Sequence, residues 1–442
     1  MCDTVVATPD VTADGVMIFG KNSDRDVNEA HEILRVPAAK HPAASRVKCT
    51  YIDIPQVDQT FTVLLAKPFW IWGAEMGVNE RGVAIGNEAV FSKIPTRKEG
   101  GLIGMDYLRL ALERSATAVQ AVEVITNLLE EYGQGGNCGF SHPFYYDNSF
   151  LIADAREAWI LETAEKQWAA KRVQGVYSIS NGYTIGKEWD LASAGLVDYA
   201  LERGWCKRRA DFDFAKCYAD LLYTTFSYGK QRCSRTTTLL EQEKGKISVA
   251  SITRILRDHG QNQEWRPDRG LSGANVCMHA GFGPIRISQT TGSMVSHLHP
   301  EHPTHFLTAT AAPCTSIFKP VWGDIPLPET GTRPTGEYNT AALFWSHEAL
   351  HRATLRNYPA AIALYEEKRD RLEGSFIRQA LEKSGASASD REKFSQMCFS
   401  DAARAETQWY LDVQASPHQR NPAWLYARAW KNHNRQAKMP ND

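Results

Sequence analysis

The chain has 442 residues, and its 50 lysines and arginines against 51 aspartates and glutamates give a formal net charge of −1. This balance argues against a nucleic-acid-binding protein, because phosphate backbones select basic surfaces. No apolar run reaches the roughly 18 residues that a membrane span requires. No secretory signal is recognisable, so we expect a cytoplasmic protein.

Nine cysteines are scattered along the chain, and none forms a Cys-x-x-Cys pair. An odd and dispersed set is typical of reduced thiols and not of a disulfide framework. Cys2 differs from the other eight by its position, because it directly follows Met1.

Apolar and β-branched runs predict paired strands in the first quarter of the chain. The runs DTVVAT and VMIFG flank PDVTADG, whose Pro, Asp and Gly favour a turn. KCTYIDI and FTVLLAK predict a second pair, and GVNERG predicts a hairpin turn that leads into VAIGNEAV. Residues 104–132 change to helical spacing and predict two helices that end at Gly133.

The remainder of the chain is first mixed and then helical. The predicted elements are strands at FLIAD, AWILET and VYSISN, helices near 212–225 and 248–259, and β-rich stretches at NVCMHA, ISQTTGSMVSHL and HFLTATAAPCTSIFKPVW. Strands, a helix pair and more strands predict an α+β architecture and not a βαβ repeat. PTGEYN marks a boundary between a core at 2–335 and a helical region at 336–442.

Cys2 has the chemistry of a minimal nucleophile. If Met1 is removed, this residue has both a thiol and a free α-amine, which titrate at about 8.5 and about 7.7–8.0 and so exchange a proton near neutral pH. A nucleophile activated by its own α-amine is an established solution for acyl transfer. A small residue at an irregular terminus is the simpler structural explanation of Cys2.

The predicted hairpin brings polar residues to this thiol. A turn that closes Thr8 onto Val16 places Cys2 opposite Asn22, and a shift of one residue would exchange Asn22 for Lys21. In either register a cation and a carboxylate lie near the thiol. A cation stabilises a thiolate, and a carboxylate binds an ammonium group.

Seven segments within about residues 2–325 match a known family in their order: CDTVVA, FGKNSDR, GVNERGVAIGNEAV, IGMDYLRLALERS, SISNGY, CSRTTTLL and TAAPCTSIFKPV. Together they resemble the secernin and cysteine-dipeptidase family of N-terminal-nucleophile (Ntn) hydrolases. That family is related to choloylglycine hydrolase and penicillin V acylase. The resemblance implies a four-layer α-β-β-α fold in which the nucleophile opens a central strand, here with a C-terminal helical extension.

The resemblance also implies roles for individual residues. Cys2 would be the nucleophile, and Asp24 would hold its amine. Asn87 and Asn181 would surround the developing oxyanion, where each such donor is worth a few kcal/mol. Arg235 in CSRT would orient Cys2. The structural alternatives are a simple turn at Asn181 and a surface ion pair of Arg235.

Three further residues are candidates for the site. Lys21 stands where choloylglycine-type enzymes have an arginine, and the secernin branch has a lysine there, which favours this branch over bile-salt hydrolysis. Lysine offers a point charge in place of the planar fork of arginine. Glu88 is a candidate for binding a substrate ammonium group, and Trp72 for lining the substrate site. The structural alternative for Glu88 is an ordinary exposed carboxylate, and the alternative for Trp72 is packing in the core.

Residues 347–351, His-Glu-Ala-Leu-His, form a zinc-peptidase pattern on a predicted helix. His347 and His351 share a face, Glu348 would act as base, and Glu373 has a plausible third-ligand spacing. The resembling family has Trp-x-x-Glu-x-Leu-His here, which favours a helix docked on the core. A second histidine group, interrupted by prolines and typical of a solvated loop, comprises His297, His299, His302 and His305. We therefore predict no metal and no cofactor.

The sequence thus predicts an amide hydrolase that acts through a Cys2 thioester, with a small amide or dipeptide as substrate and a dipeptidase as the family-based expectation. An acylase or acyltransferase stays open, because a fold does not determine its substrate. The alternatives are a zinc metallopeptidase through residues 347–351 and a non-catalytic, secernin-like regulator. No nucleic-acid or membrane partner is expected. The sequence leaves open whether the C-terminal helices cap the pocket or form the interface of a homo-oligomer.

Overall fold

Two antiparallel sheets form the centre of the computed structural model, which describes residues 1–262, 264–270, 275–283, 286–417 and 422–440. The strands within these residues are β1 (Cys2–Ala7), β2 (Met17–Asp26), β3 (His31–Val36), β4 (Ala39–Lys40), β5 (Arg46–Lys48), β6 (Asp53–Pro55), β7 (Gln59–Thr60), β8 (Val63–Pro68), β9 (Met76–Asn79), β10 (Ala84–Val90), β11 (Asp147–Ala153), β12 (Ala158–Ala164), β13 (Gln167–Val173), β14 (Val176–Ile179), β15 (Leu191–Ala192), β16 (Ser288–Leu298), β17 (Thr304–Leu307) and β18 (Lys319–Val321). The helices are α1 (Gly104–Arg114), α2 (Ala118–Tyr132), α3 (Leu196–Glu202), α4 (Phe214–Tyr218), α5 (Leu221–Phe226), α6 (Gly229–Gln242), α7 (Val249–Leu256), α8 (Leu343–Arg356), α9 (Tyr358–Ile362), α10 (Glu366–Glu382), α11 (Ala388–Ala415) and α12 (Trp424–Gln436).

The first sheet has the strand order β14-β1-β2-β16-β17-β18, and the second has the order β15-β13-β12-β11-β10-β9-β8-β3. Strand β1 therefore lies inside the first sheet, between β14 and β2. The helices α1 and α2 follow one another between β10 and β11 and do not alternate with single strands. This order agrees with the predicted α+β class. Gly133, at φ 66°, ends α2 where the sequence predicted a stop.

Side chains alternate between the two faces of a strand. Both faces of the two central sheets are buried, so neighbouring residues of one strand pack in different apolar clusters. On one face of the first sheet, Val5 and Ile18 pack with residues of helices α6 to α11. On its other face, Val6 and Phe19 pack against the second sheet. The far face of the second sheet packs against α1 and α2. The strand β1 thus contributes to two separate apolar clusters.

The register of the first hairpin differs by one residue from the prediction. Strands β1 and β2 pair Cys2 with Ser23 and Asp3 with Asn22, so Asn22 does not face Cys2. The turn between them contains a short 3-10 segment at Pro9–Val11, which the assumed closure did not include. Since directly opposed residues point to the same face, Cys2 shares its face with Ser23 and, two residues away, with Lys21.

Some predicted elements are absent or displaced. The stretch NVCMHA does not form a strand. Its backbone makes isolated hydrogen bonds to residues of neighbouring segments and not the continuous series that a strand requires. The helix α6, which carries CSRT, was not predicted as a separate helix. Among the described residues, none of the helices combines the length and the apolar character that crossing a bilayer requires.

Candidate active site

A cavity of about 280 Å³ opens at the beginning of β1. Its polar lining includes Cys2, Asp24, Arg25, Asp26, Glu29, Glu75 and Asn181. Its aromatic lining includes Phe91, Phe140, Phe144, Tyr146, Tyr223 and Phe226. Carboxylates outnumber cations in this lining, and aromatic rings form much of the remaining wall.

Cys2 is held at the cavity by residues from three separate segments of the chain. Its backbone N–H donates to Asn181 Oδ1 at 2.8 Å, just beyond the end of β14. Its Sγ accepts from the backbone N–H of Asp24 at 3.4 Å and lies 3.8 Å from Glu75 Oε2. The ammonium group of Met1 donates to the backbone oxygen of Asp24 at 3.0 Å. The structure thus brings together three of the predicted residues, Cys2, Asp24 and Asn181.

Arg232 takes the position that the sequence analysis assigned to Arg235. Its guanidinium donates to the Cys2 carbonyl oxygen at 2.9 Å and to Asn181 Oδ1 at 2.6 Å, and it forms a buried ion pair with Asp3 at 2.5 Å. The predicted contact between Arg235 and Cys2 is wrong, because Arg235 instead pairs with Asp258 at 2.8 Å. Three residues along a helix correspond to a rise of about 4.5 Å, which moves Arg235 away from the start of α6.

The beginning of α6 can approach Cys2 because of a glycine. A Cβ at Gly229 would lie 2.7 Å from the backbone of Asn181. The first turn of α6 therefore packs directly on the residue that binds the Cys2 backbone, and Arg232 follows one turn later.

Lys21 lies between the two sheets and is fully buried together with Glu88. Its Nζ donates to the Asn87 carbonyl oxygen at 2.6 Å and pairs with Glu88 Oε1 at 3.1 Å, and the Thr4 hydroxyl donates to the same carboxylate. Burial lowers the pKa of Lys21, but the charges of Cys2 and Glu88 outweigh it and hold that pKa above its usual value. Burial raises the pKa of Glu88 to about 7 against the opposing effect of Lys21. Glu88 is therefore a partner of Lys21, away from the cavity lining and not exposed.

The Asn87 side chain is not among the residues that line the cavity, and its contacts are with Met105 of α1 and Asn148 of β11. Its Nδ2 is 3.5 Å from Met105 Sδ and 3.3 Å from Asn148 Oδ1. Trp72 is also outside the cavity lining, since its ring lies under the Arg109 guanidinium, 4.0 Å from the ring centroid. The structure does not bring these two side chains to the thiol.

A buried charge network in the cavity wall was missed in the sequence analysis. Arg25 pairs with Glu29 at 2.6 Å and with Glu75 at 3.2 Å, and the Trp70 Nε1–H donates to Glu29 at 2.7 Å. The sequence offered no signal for the pairing of Arg25 with Glu29, because Arg25 lies in β2 and Glu29 in the turn that follows it. Glu75 also had no sequence signal, because only the packing of β8 and β9 places it beside β1.

The thiol of Cys2 is a weak acid in this environment. Burial raises its pKa to about 11, with Lys21 acting in the opposite direction and Glu75 adding to the rise. Burial also raises the pKa of Asp24, which the positive charges of the Met1 ammonium and Arg232 oppose. A thiol of this kind is protonated at neutral pH, so its use as a nucleophile requires a base within reach.

The His-Glu-Ala-Leu-His segment lies on α8, where its side chains bond to neighbouring protein groups. His347 contacts the Ala311 carbonyl oxygen at 3.0 Å and Glu406 at 3.0 Å. Glu348 pairs with His351 at 2.9 Å and with Arg352 at 2.5 Å. Burial would raise the pKa of Glu348, but these two partners outweigh it and hold the pKa at about 2. The segment is part of the packing between α8 and its surroundings.

Glu373, whose spacing suited a third ligand in the zinc alternative, does not join those histidines, because it pairs with Arg257 at 2.6 Å. The second histidine group is also dispersed. His297 pairs with Asp14 at 2.8 Å, and His305 Nδ1 contacts Ser296 Oγ at 3.0 Å. Neither set forms a metal-ligand cluster within the part of the chain that the structure describes.

Comparison with known proteins decides the family. The profile described as "Peptidase family C69" matches residues 1–370. The chain belongs to peptidase family C69. This confirms the resemblance seen in the sequence, and as a member of family C69 the protein is a hydrolase that acts on peptide or amide bonds.

Two curated relatives of this C69 member are dipeptidases by name. A probable dipeptidase of Salmonella dublin is 22% identical over 413 residues, which are 81% of this chain and 92% of the relative. A dipeptidase of Bifidobacterium longum is 27% identical over 219 residues, 44% of this chain and 39% of the relative.

Solved structures with a partial likeness to the C69 member include a conjugated bile acid hydrolase and a penicillin V acylase. The C2A mutant of conjugated bile acid hydrolase from Clostridium perfringens has a TM-score of 0.42 at 12% identity and covers 73% of this chain and 92% of its own. Penicillin V acylase from Agrobacterium tumefaciens has a TM-score of 0.41 at 14% identity, with coverages of 72% and 86%.

Proposed function

We propose that the protein is a dipeptidase of the cysteine Ntn type, with Cys2 as its nucleophile and with the four-layer α-β-β-α arrangement of that class. The observation that supports this proposal is the position of Cys2, which opens β1 at a cavity while Asn181, Asp24 and Arg232 bind its backbone and thiol. Helices on the outer faces of both sheets are consistent with the four layers.

Activation would consist of cleavage of the Met1–Cys2 peptide bond. The nitrogen released by that cleavage is the one that Asn181 Oδ1 accepts from at 2.8 Å. Met1 itself lines the cavity, so its removal also opens space directly beside the thiol. The free amine would then be the base that a thiol with a pKa raised to about 11 requires.

The reaction follows from these groups. The amine takes the thiol proton, and Sγ attacks the substrate carbonyl carbon. We assign the oxyanion to the second N–H of Asn181 Nδ2, whose first N–H donates to the Ala89 carbonyl oxygen at 2.8 Å, and to the backbone N–H of Asp24, whose nitrogen lies 3.4 Å from Sγ. Collapse breaks the C–N bond as the ammonium group of Cys2 protonates the leaving amine. Water, deprotonated by the same amine, then cleaves the thioester and restores the thiol.

The cavity favours a small substrate with an ammonium group and an apolar side chain. Asp24, Asp26, Glu29 and Glu75 line the cavity together with one arginine, Arg25, and this excess of carboxylates suits a positively charged amino terminus. The aromatic wall suits an apolar side chain. Dipeptides have both features, and the two curated relatives are dipeptidases by name.

The test combines mass spectrometry with a substrate panel. Intact-mass measurement of the active protein should show a chain that begins at Cys2. Dipeptides should be hydrolysed faster than N-acyl amino acids, and Cys2→Ala should reduce turnover by at least about 10³-fold, as expected for loss of a nucleophile. Cys49→Ala, which removes another buried thiol, should retain activity.

Four outcomes would contradict the proposal. Active protein that retains Met1 excludes the amine as base. Preferential hydrolysis of N-acyl amino acids would instead make the protein an acylase. Activity that survives Cys2→Ala but is lost in His347→Asn would favour the zinc-peptidase alternative. Absence of turnover and of any acyl-Cys2 adduct on the whole panel would favour a non-catalytic regulator.

A further inference from the structure

Four metal-ligating side chains converge at one point outside the cavity described above. They are His259, Cys277, His279 and Cys314, and their ligand atoms all lie within 4.8 Å of one another. We propose that these four residues bind a structural zinc ion. The set is distinct from the His-Glu-Ala-Leu-His segment and shares no residue with it.

The distances between the side chains match a tetrahedral zinc site. Bonds of about 2.0–2.1 Å to nitrogen and about 2.3 Å to sulfur place tetrahedral ligands about 3.3 Å apart for N···N and about 3.5 Å apart for N···S. His279 Nε2 lies 3.2 Å from His259 Nε2, 3.5 Å from Cys277 Sγ and 3.3 Å from Cys314 Sγ. These three distances from His279 Nε2 fit tetrahedral ligands, and the other ligand atoms lie within 4.8 Å of one another, so the set can enclose one ion.

The composition of the cluster selects the metal. Two thiolates and two imidazoles form a Cys₂His₂ set, which is typical of closed structural zinc sites. Carboxylate oxygens, which calcium and magnesium prefer, are absent from the set. Cys277, His279 and Cys314 are buried and His259 is half-buried, so the protein itself fills the coordination shell and leaves no open position for a substrate.

The surroundings hold these ligands in place. The Trp265 ring stacks on His259 with the ring centroids 3.9 Å apart, and the Tyr358 ring packs edge-on against both. The Cys277 backbone N–H donates to the Asp258 carbonyl oxygen at 3.1 Å, which ties two of the ligand segments together. Residues 275–280 have no regular secondary structure, so a metal ion would supply the cross-link that hydrogen-bonded ladders supply elsewhere.

This cross-link reaches the carboxylate beside Cys2. Met278 lies between the ligands Cys277 and His279 and makes two hydrogen bonds to Thr290. Its N–H donates to Thr290 Oγ1 at 2.9 Å, and its carbonyl oxygen accepts from the Thr290 N–H at 3.0 Å. The Thr290 hydroxyl donates to Asp24 Oδ1 at 2.6 Å. The zinc ion would thus position Asp24 through Thr290, without contact to the substrate.

The decisive experiment is the metal content of the purified full-length protein, measured by inductively coupled plasma mass spectrometry. We expect about one zinc per chain, and less than about one fifth of that in the Cys277→Ser/Cys314→Ser double variant. The control is Cys398→Ser, which removes a buried cysteine on α11 and should keep the zinc content. Native protein without a bound transition metal that also takes up no added zinc would overturn the proposal.

A second measurement covers the case in which the double variant fails to fold. Chelation of the native protein should lower its unfolding midpoint by at least about 5 °C, and added zinc should restore it. Cobalt added to the chelated protein should give a thiolate-to-cobalt charge-transfer band. A disulfide bond between Cys277 and Cys314 on peptide mapping, or iron or copper in place of zinc, would overturn the assignment. Neither readout depends on hydrolysis, so the result is independent of the proposed function.

Discussion

At the scale of single residues, two arginines on α6 have different surroundings although they are only three positions apart. Arg232 is buried and binds the Cys2 carbonyl oxygen, Asp3 and Asn181, whereas Arg235 is 27% exposed and pairs with Asp258. Buried arginines that make several directed bonds use the planar geometry of the guanidinium, which a lysine lacks. The pair therefore offers a matched comparison within one helix.

We expect Arg232→Lys to lower kcat/KM by at least about tenfold, because the lysine keeps the charge but cannot bind the Cys2 carbonyl oxygen and Asn181 together. Arg235→Lys should change kcat/KM by less than about threefold. The measurement is steady-state kinetics on the best dipeptide of the panel, with a folding check by circular dichroism. Equal losses in the two variants would show that the assignment of Arg232 to the site is wrong.

At the scale of elements, the strand β17 buries a histidine that has no role in the cavity. His305 is 1% exposed, and burial lowers its pKa to about 3. In the unfolded chain a histidine titrates at about 6.5. Between these two values the unfolded state binds a proton that the folded state does not. This histidine thus contributes stability that is fully present above pH about 6.5 and is lost as the pH falls towards 3.

The His305→Asn variant should therefore lose stability less steeply on acidification than the native chain. Between pH 6 and 4 the slope of the unfolding free energy should be smaller by up to about 1.4 kcal/mol per pH unit, the value for one proton. Urea unfolding at several pH values measures this slope even though the substitution also changes the absolute stability. His302→Asn, at an exposed histidine near the same strand, is the control, and an unchanged slope in His305→Asn would contradict the prediction.

At the scale of the whole molecule, the C-terminal helices complete the core of the first sheet. Phe306, Phe318 and Trp322 of the sheet region are buried in the same apolar cluster as Phe376 of α10 and Phe394 of α11. Removal of these helices would expose a contiguous apolar face, which isolated domains do not tolerate. The change in composition near residue 335 thus marks a boundary in the sequence, and we propose that it does not separate two independently folding units.

A chain that ends at residue 335 should accordingly fail to fold. We expect it to be insoluble or to bind a hydrophobic dye, whereas the full chain should unfold in a single transition in which tryptophan fluorescence and circular dichroism coincide. Cooperative unfolding of the 1–335 fragment, or two separate transitions in the full chain, would instead establish 2–335 and 336–442 as independent domains.

The sequence by itself determined the features that depend on local pattern. Helical periodicity predicted the pair α1 and α2. Gly133 marked the end of the second helix, because the positive φ that ends it favours glycine. The order of the matching segments identified the family. The position of Cys2 next to Met1 made it the candidate nucleophile, and the predicted hairpin and the family resemblance supported that prediction.

Tertiary structure alone decided which side chains meet. The one-residue change in the β1–β2 register, set by the backbone path of a turn, moved Asn22 away from Cys2. The choice between Arg232 and Arg235 depended on where α6 begins, and the position of Glu88 depended on the packing of two sheets against each other. The Cys₂His₂ cluster spans residues 259 to 314, and its scattered spacing resembles no short motif. Such contacts join residues far apart in the chain, so their distances follow from packing and not from periodicity.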